Sequence, residues 1–245
     1  MGLIQIYETL LGSFGPQGWW PVGGKGGKFS PPELEVCVGA ILTQNTGWNN
    51  VEKALANMKS MKIKSMQKLM NTDIARLEEA IRPSGFYRQK AERLRTLSGF
   101  ITAMGGFRQF SKKVTREQLL DVKGLGPETV DSIMLYALNR PVFVIDAYTK
   151  RVFSRLGFNL GEKRTKFWRP VPKRPREEYE LWRWFFESGL PSSSKSGKQA
   201  SSHASDQVSI YKEFHALIVE LAKRHCKARP DCNECPLDSH CRKNI

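Results

Sequence analysis

The chain has 245 residues, 40% hydrophobic and 26% charged, enough apolar sequence to build one large or two small packed domains. Lys and Arg number 39 against 24 Asp and Glu, a net charge of +15 that favours a polyanion such as DNA or RNA as partner. No run of 18 or more apolar residues is present, which excludes a membrane-spanning helix; the first residues carry no basic, apolar, small-residue leader pattern, and Ile6 stands where a myristoylation signal needs Ser or Thr.

The N-terminal stretch predicts a short apolar helix, followed by a glycine-rich loop around "GWWPVGGKGGK". From Pro31 a helix with a broad apolar face follows, holding Cys37 as a core residue. Val51, Leu55 and Met58 mark the next helix, and further helical patterns cover roughly 64–71, 73–82, 86–104, 115–122 and 127–138. Thr115 and Gln118 fit a capping box. The proline-broken basic stretch 161–176 reads as a loop, a solvated linker in preference to a DNA contact. "EYELWRWFFESGL" reads as a buried helix. The Ser-rich run after it reads as a flexible insert over 190–205. A last helix near 207–225 carries Tyr211, Phe214, Ile218, Leu221 and Ala222 on one face. No segment has a period of two long enough for a sheet, so the fold is expected to be all-α.

Two features point to chemistry. Gly124-Leu125-Gly126 lies between two helical patterns, and Pro127 suits the first turn of the second. Backbone N–H groups exposed at such a helix–hairpin–helix can hold a phosphate without any side chain. About 20 residues later Asp146 opens a further helical pattern that stops at Gly157. It reads as a helix N-cap, as a catalytic carboxylate, or as both, since a capping geometry also holds a carboxylate rigidly. Cys226, Cys232, Cys235 and Cys241, spaced C-x5-C-x2-C-x5-C, read as four thiolates around one metal centre in a reducing compartment, not as a disulfide framework. Four Cys suit iron–sulfur and zinc alike.

The order of hairpin, helix, "VFVID" and C-terminal cysteines, with "ILTQNT" and "IRPSGFYRQKAERLRTLSGF", resembles the endonuclease III (helix–hairpin–helix–Gly/Pro–Asp) superfamily of DNA glycosylases. The resemblance implies a two-domain fold: a six-helix barrel domain over 30–138, and a second helical domain of 1–29 plus 139–245 with the cysteine loop. It implies that Asp146 is catalytic, that Gln44 fills the gap left by an extruded base, and that the cysteines hold a structural 4Fe–4S cluster, with zinc as the alternative. The first cysteine interval is one residue shorter than the family's usual C-x6-C. Bifunctional members place a Schiff-base lysine where this chain has Glu128, and a glutamate cannot form that adduct.

"GPET", "RPSGFYRQKAERL", "GWWP" and "LTQNTGW" together resemble the branch that excises 3-methyladenine. In that branch Trp19, Trp20, Trp48, Glu128 and Lys223 match base-pocket positions; core packing is the plain alternative for the tryptophans. The expectation is a monofunctional DNA N-glycosylase of base excision repair, acting as a monomer on damaged double-stranded DNA in the cytoplasm (nucleoid) of a bacterial or archaeal cell, with no membrane association. A uracil, mismatched-thymine or deaminated-purine glycosylase is the nearest rival. A lyase using Lys123 or Lys150, and a noncatalytic DNA-binding protein, are the others.

Overall fold

The computed structural model describes residues 1–22, 27–158, 160, 175–190 and 203–243, with side chains of the last segment described from 206. Most of the 190–205 insert, and most of the 161–176 stretch, lie outside the described residues. Among the described residues all regular structure is helical apart from a single bridge between Ser30 and Ser65. The chain divides into two compact units, Trp20–Asn139 and Met1–Trp19 with Arg140–Ile245.

The Trp20–Asn139 unit contains α2 (Glu33–Leu42), α3 (Trp48–Ser60), α4 (Met66–Asn71), α5 (Ile74–Ile81), α6 (Tyr87–Ala103), α7 (Phe107–Lys113), α8 (Arg116–Leu120) and α9 (Pro127–Ser132). Helix α2 is apolar all round, and every residue from Leu34 to Leu42 is buried, as expected for a central helix. Its buried acid, Glu35, pairs with Lys59 of α3 at 2.7 Å inside the core. Helix α7 is absent from the sequence-based expectation. It has seven residues and buries only Phe110, and glycines at positive φ precede it, so no periodic pattern announces it. The helix expected over 127–138 stops at Ser132 and continues as a π-turn over Ile133–Ala137.

The domain boundary also differs from the expectation. It falls between Trp19 and Trp20, not after residue 29. Trp20 belongs with the 20–139 unit because its ring packs edge-on against Trp48 and Tyr136, and lies so close to Gly39 that a Cβ there would approach it at 3.1 Å.

The other unit contains α1 (Leu3–Phe14), α10 (Ala147–Leu156), α11 (Pro175–Gly189) and α12 (His203–Arg224). Both α1 and α10 pack on α12. Its core is aromatic: Phe143 stacks on Phe186 at 4.3 Å, and Phe153 and Phe214 meet them edge-on. Such offset and T-shaped contacts suit the ring quadrupoles. Helix α11 begins at Pro175, inside the expected loop, because a proline in the first turn loses no hydrogen bond. Helix α12 begins at His203, inside the expected insert.

Candidate active site

The hairpin joins α8 to α9. Thr115 and Gln118 form the anticipated capping box at the start of α8, and Pro127 occupies the first position of α9. Only one of the two glycines is conformationally required: Gly124 has φ +89°, whereas Gly126 has an ordinary extended φ of −88° as N-cap. Leu125 between them is buried and anchors the turn. Arg116 of α8 forks onto the fully buried Asp131 of α9, with Nε–Oδ1 at 2.6 Å and a second donor 3.0 Å from Oδ2, and so ties the two helices together across the turn.

Two further turns attach to the same unit beside this hairpin. Gln44 donates from Nε2 to the Gly124 carbonyl (3.2 Å) and to Thr129 Oγ1 (2.9 Å), and its carbonyl accepts from Arg93. Thr46 donates to the Ser84 carbonyl, joining the 43–47 turn to the 82–86 turn. The fully buried Lys90 of α6 locks both, donating to the Leu42 carbonyl (2.8 Å), Thr46 Oγ1 (2.7 Å) and the Ser84 carbonyl (2.6 Å). All three ammonium donors are used, although burial, and then the charge of Arg93, lower its pKa to about 8. Phe86, at the end of this turn, has φ +45° and is 65% exposed. Sequence reading missed Lys90, Arg93 and Phe86; the last could have been suspected from its place after Ser84-Gly85 just before a helix.

Trp48 is the first residue of α3, half-buried against Trp20. Tyr136 reaches Trp20 from the π-turn at 5.3 Å. A π-turn inserts one residue into the helical repeat and redirects the side chains after it, a device frequent at functional sites. Tyr136 was not foreseen, because a helix reading of 127–138 has no such insertion. Glu128 sits in the first turn of α9 with its side chain exposed.

The second unit holds Asp146, Trp19 and Lys223. Asp146 is the N-cap of α10, and its Oδ1 accepts the Thr149 N–H at 2.7 Å. Its Oδ2 lies 3.6 Å from Nε2 of His215 on α12, an ion-pair separation slightly beyond a hydrogen bond, with both side chains largely buried. Burial pushes the Asp146 carboxyl up, but the neighbouring His215 imidazole, together with the Thr149 contacts, outweighs it, and the net is below the ordinary aspartate value. Trp19 meets the His215 ring edge-on at 5.9 Å, and Lys223 Nζ stands 5.5 Å from the Trp19 ring centre. The loop bearing Trp19 is fastened by Glu213, which accepts the N–H of Gln17 at 2.6 Å. Three residues singled out from the sequence therefore lie in one chain of contacts, and His215, which sequence reading missed, is the link between them.

The four cysteines carry free thiols and line one cavity with Arg155, His225, Asp238 and Lys243. The Cys235 thiol is raised by burial, and further by the nearness of Cys232, Cys226 and Cys241. Arg155 donates to Cys226 Sγ at 3.3 Å and to the Lys227 and Ala228 carbonyls, and Arg151 donates to the Cys226 carbonyl at 2.8 Å. Among the described residues, no group of three or more His, Cys, Asp or Glu is arranged around a single metal ion.

Residues 38–173 match the model of the HhH-GPD superfamily of base excision DNA repair proteins. The chain belongs to that superfamily. It is 40% identical over 245 residues, 98% of this chain and 95% of the other, to a Methanocaldococcus jannaschii protein provisionally named a DNA repair glycosylase. Among solved structures, the H. pylori 3-methyladenine DNA glycosylase bound to 1,N6-ethenoadenine is 32% identical, covers 91% of this chain and 98% of that one, and has a TM-score of 0.70. An endonuclease III–DNA complex, 19% identical with a TM-score of 0.68 over 99% of this chain, shares the fold. This HhH-GPD protein is a DNA glycosylase with the helical fold of its superfamily. No described helix is long and apolar enough to cross a membrane.

Proposed function

We propose that this glycosylase releases an alkylated purine, 3-methyladenine or a close relative, by hydrolysis, and leaves an abasic site without cutting the strand. The observation that carries the substrate is the 32% identity, over 91% of the chain, to the H. pylori 3-methyladenine enzyme. The aromatic side chains are consistent with it. A purine alkylated at N3 or N7 is cationic in the nucleotide, and indole faces such as those of Trp19, Trp20 and Trp48 attract cations. The exposed Glu128, where a bifunctional member has a lysine, adds negative charge and offers no amine for a Schiff base.

Asp146 is the catalytic group of this reading. Held by Thr149 and facing His215, it is ionised at neutral pH. Its carboxylate steadies the positive charge that develops on the sugar as the C1′–N bond breaks, and takes a proton from the water whose oxygen bonds to C1′. The cationic base leaves as a neutral molecule with the bonding electron pair, so no acid is needed to assist it. Gln44 and the exposed Phe86 fill the gap left in the duplex, and the Gly124–Gly126 hairpin holds a backbone phosphate. Lys223, beside the Trp19 ring, is the basic member of the proposed base-binding residues.

Cys226, Cys232, Cys235 and Cys241 would hold a 4Fe–4S cluster. Two features fit such a group: four thiols share one cavity with the cationic Arg155 and Lys243, and the buried His225 Nδ1 on that cavity has no hydrogen-bond partner among the described residues. When bound, the cluster would cross-link the C-terminal loop, a structural contribution without a step in base release. Iron and sulfide analysis of protein purified without oxygen distinguishes it from zinc.

The test is base release from duplexes carrying one lesion each: 3-methyladenine or a stable analogue, uracil, hypoxanthine, thymine opposite guanine, and thymine glycol. Each is read before and after alkali, with wild type and Asp146→Asn. Alkylated-base release, strand breaks only after alkali, and loss of release in the variant are expected. Release of uracil or thymine alone would overturn the substrate, and breaks without alkali would overturn the hydrolytic mechanism.

A further inference from the structure

Asp146 faces a second titratable group that the reaction as described does not use. His215 stands on α12, where α10 packs against it, and its Nε2 is 3.6 Å from the Asp146 oxygen that Thr149 does not occupy. Both side chains are largely withdrawn from water, at 5% and 12% exposure. Trp19 packs edge-on against the imidazole and restricts its swing. We infer that His215 is a positioning residue for the catalytic carboxylate: it fixes the orientation of Asp146 through Oδ2 and holds it in the ionised form inside a buried site. The inference rests on the reading of Asp146 as the catalytic group.

The physical need is plain. A carboxylate taken out of water drifts toward its neutral form unless something favours the charge. The Thr149 N–H holds Oδ1 and leaves Oδ2 to be fixed by another neighbour. A second contact at that oxygen orients the whole carboxylate, and the remaining lone pairs stay available for a water. Most of the charged and titratable neighbours on the surrounding elements are engaged elsewhere. On α10, Lys150 pairs with Glu178, and Arg151 and Arg155 bind carbonyls of the cysteine loop. On α12, Lys212 lies three residues before His215, Glu213 holds the Gln17 N–H, and Lys223 faces Trp19. Tyr7 of α1 lies within the field of Glu213, and the Tyr179 hydroxyl of α11 takes the Ile145 N–H. Among the described residues, His215 and Thr149 are the neighbours that favour the Asp146 carboxylate.

The sign follows. The His215 contact lowers the Asp146 pKa, so its removal lets burial dominate and the pKa rises. Replacing His215 moves the acid limb of the single-turnover profile to higher pH. It also lowers the plateau rate by roughly 10- to 100-fold, the scale of a displaced catalytic group.

The experiment compares wild type, His215→Phe, His215→Gln and Asp146→Asn. It reads single-turnover base release across pH on the duplex that wild type processes, the Kd for the same duplex, and thermal melting. The Asp146 carboxyl pKa is measured independently by carbon NMR, assigned against Asp146→Asn, which needs no substrate. Expected are an unchanged Kd, a lower rate and an acid limb at higher pH in His215→Phe, partial recovery of rate in His215→Gln, and a higher Asp146 pKa in both. Should His215→Phe fail to fold, His215→Gln decides: it keeps a hydrogen-bond donor but has no imidazole to favour the carboxylate, so its Asp146 pKa must still exceed that of wild type. An Asp146 pKa and acid limb equal to wild type overturn the inference while the catalytic reading stands. Undiminished release by Asp146→Asn overturns both.

Discussion

Gly124 is the residue on which the hairpin turns. Its φ of +89° excludes an unstrained side chain, and a Cβ there would stand 2.6 Å from Cγ of Arg93. The steric part can be relieved, since Arg93 is flexible, but the backbone part cannot. Gly124→Ala should therefore lose about 1–2 kcal/mol of stability, and displacing Arg93 should release its bond to Gln44. A melting series checks this: Gly124→Ala combined with Arg93→Ala must recover only a small part of the loss, because φ strain remains. The same close packing explains why this glycine, and not Gly126, is required at the turn. His215 is likewise a residue-scale matter; its effect on Asp146 depends on one contact of 3.6 Å.

At the scale of elements, the hairpin is held by the pair it joins. Helices α8 and α9 are short, five and six residues, and such segments have little stability of their own. The Arg116–Asp131 fork supplies the tertiary link, with the Asp131 carboxylate wholly buried. Arg116→Ala would leave that charge without its guanidinium and should cost about 3–5 kcal/mol. Replacing both partners by apolar residues of similar size should recover most of the stability but little of the DNA affinity, if the fork also sets the hairpin's geometry. Chemical denaturation and a DNA titration on the single and double variants separate the two effects. The π-turn after α9 has a parallel role: the inserted residue brings Tyr136 to Trp20, and a regular helix over the same sequence would aim it elsewhere.

For the molecule as a whole, the net charge of +15 sets the character of binding. Contacts between Lys or Arg and phosphate release counterions, so affinity for undamaged duplex should fall by about 10³-fold or more between about 50 and about 200 mM salt if six or more phosphates are engaged. Fluorescence anisotropy over a salt series reads the slope directly; a flat dependence would mean that the basic residues do not meet the DNA backbone. Release of the damaged base at saturating enzyme should be far less sensitive, since the proposed catalytic carboxylate, Asp146, is largely screened from solvent ions.

The chain alone determined whatever is local in it. The Thr115–Gln118 box, the proline after the hairpin, the Asp146 cap and the Gly157 stop each depend on residues within a turn or two, and the structure carries them all. The helical fold followed from apolar spacing, and membership of the glycosylase superfamily from the order of motifs. Tertiary structure decided the rest, because it joins residues far apart in sequence. The short helix α7 and the π-turn have no periodic signal of their own. The boundary at Trp19/Trp20 depends on where two adjacent indoles find partners: one against His215, the other against Trp48 and Tyr136. His215 looks, in the sequence, like one more residue on an apolar helix. Only the packing of α10 on α12 turns it into a neighbour of the carboxylate.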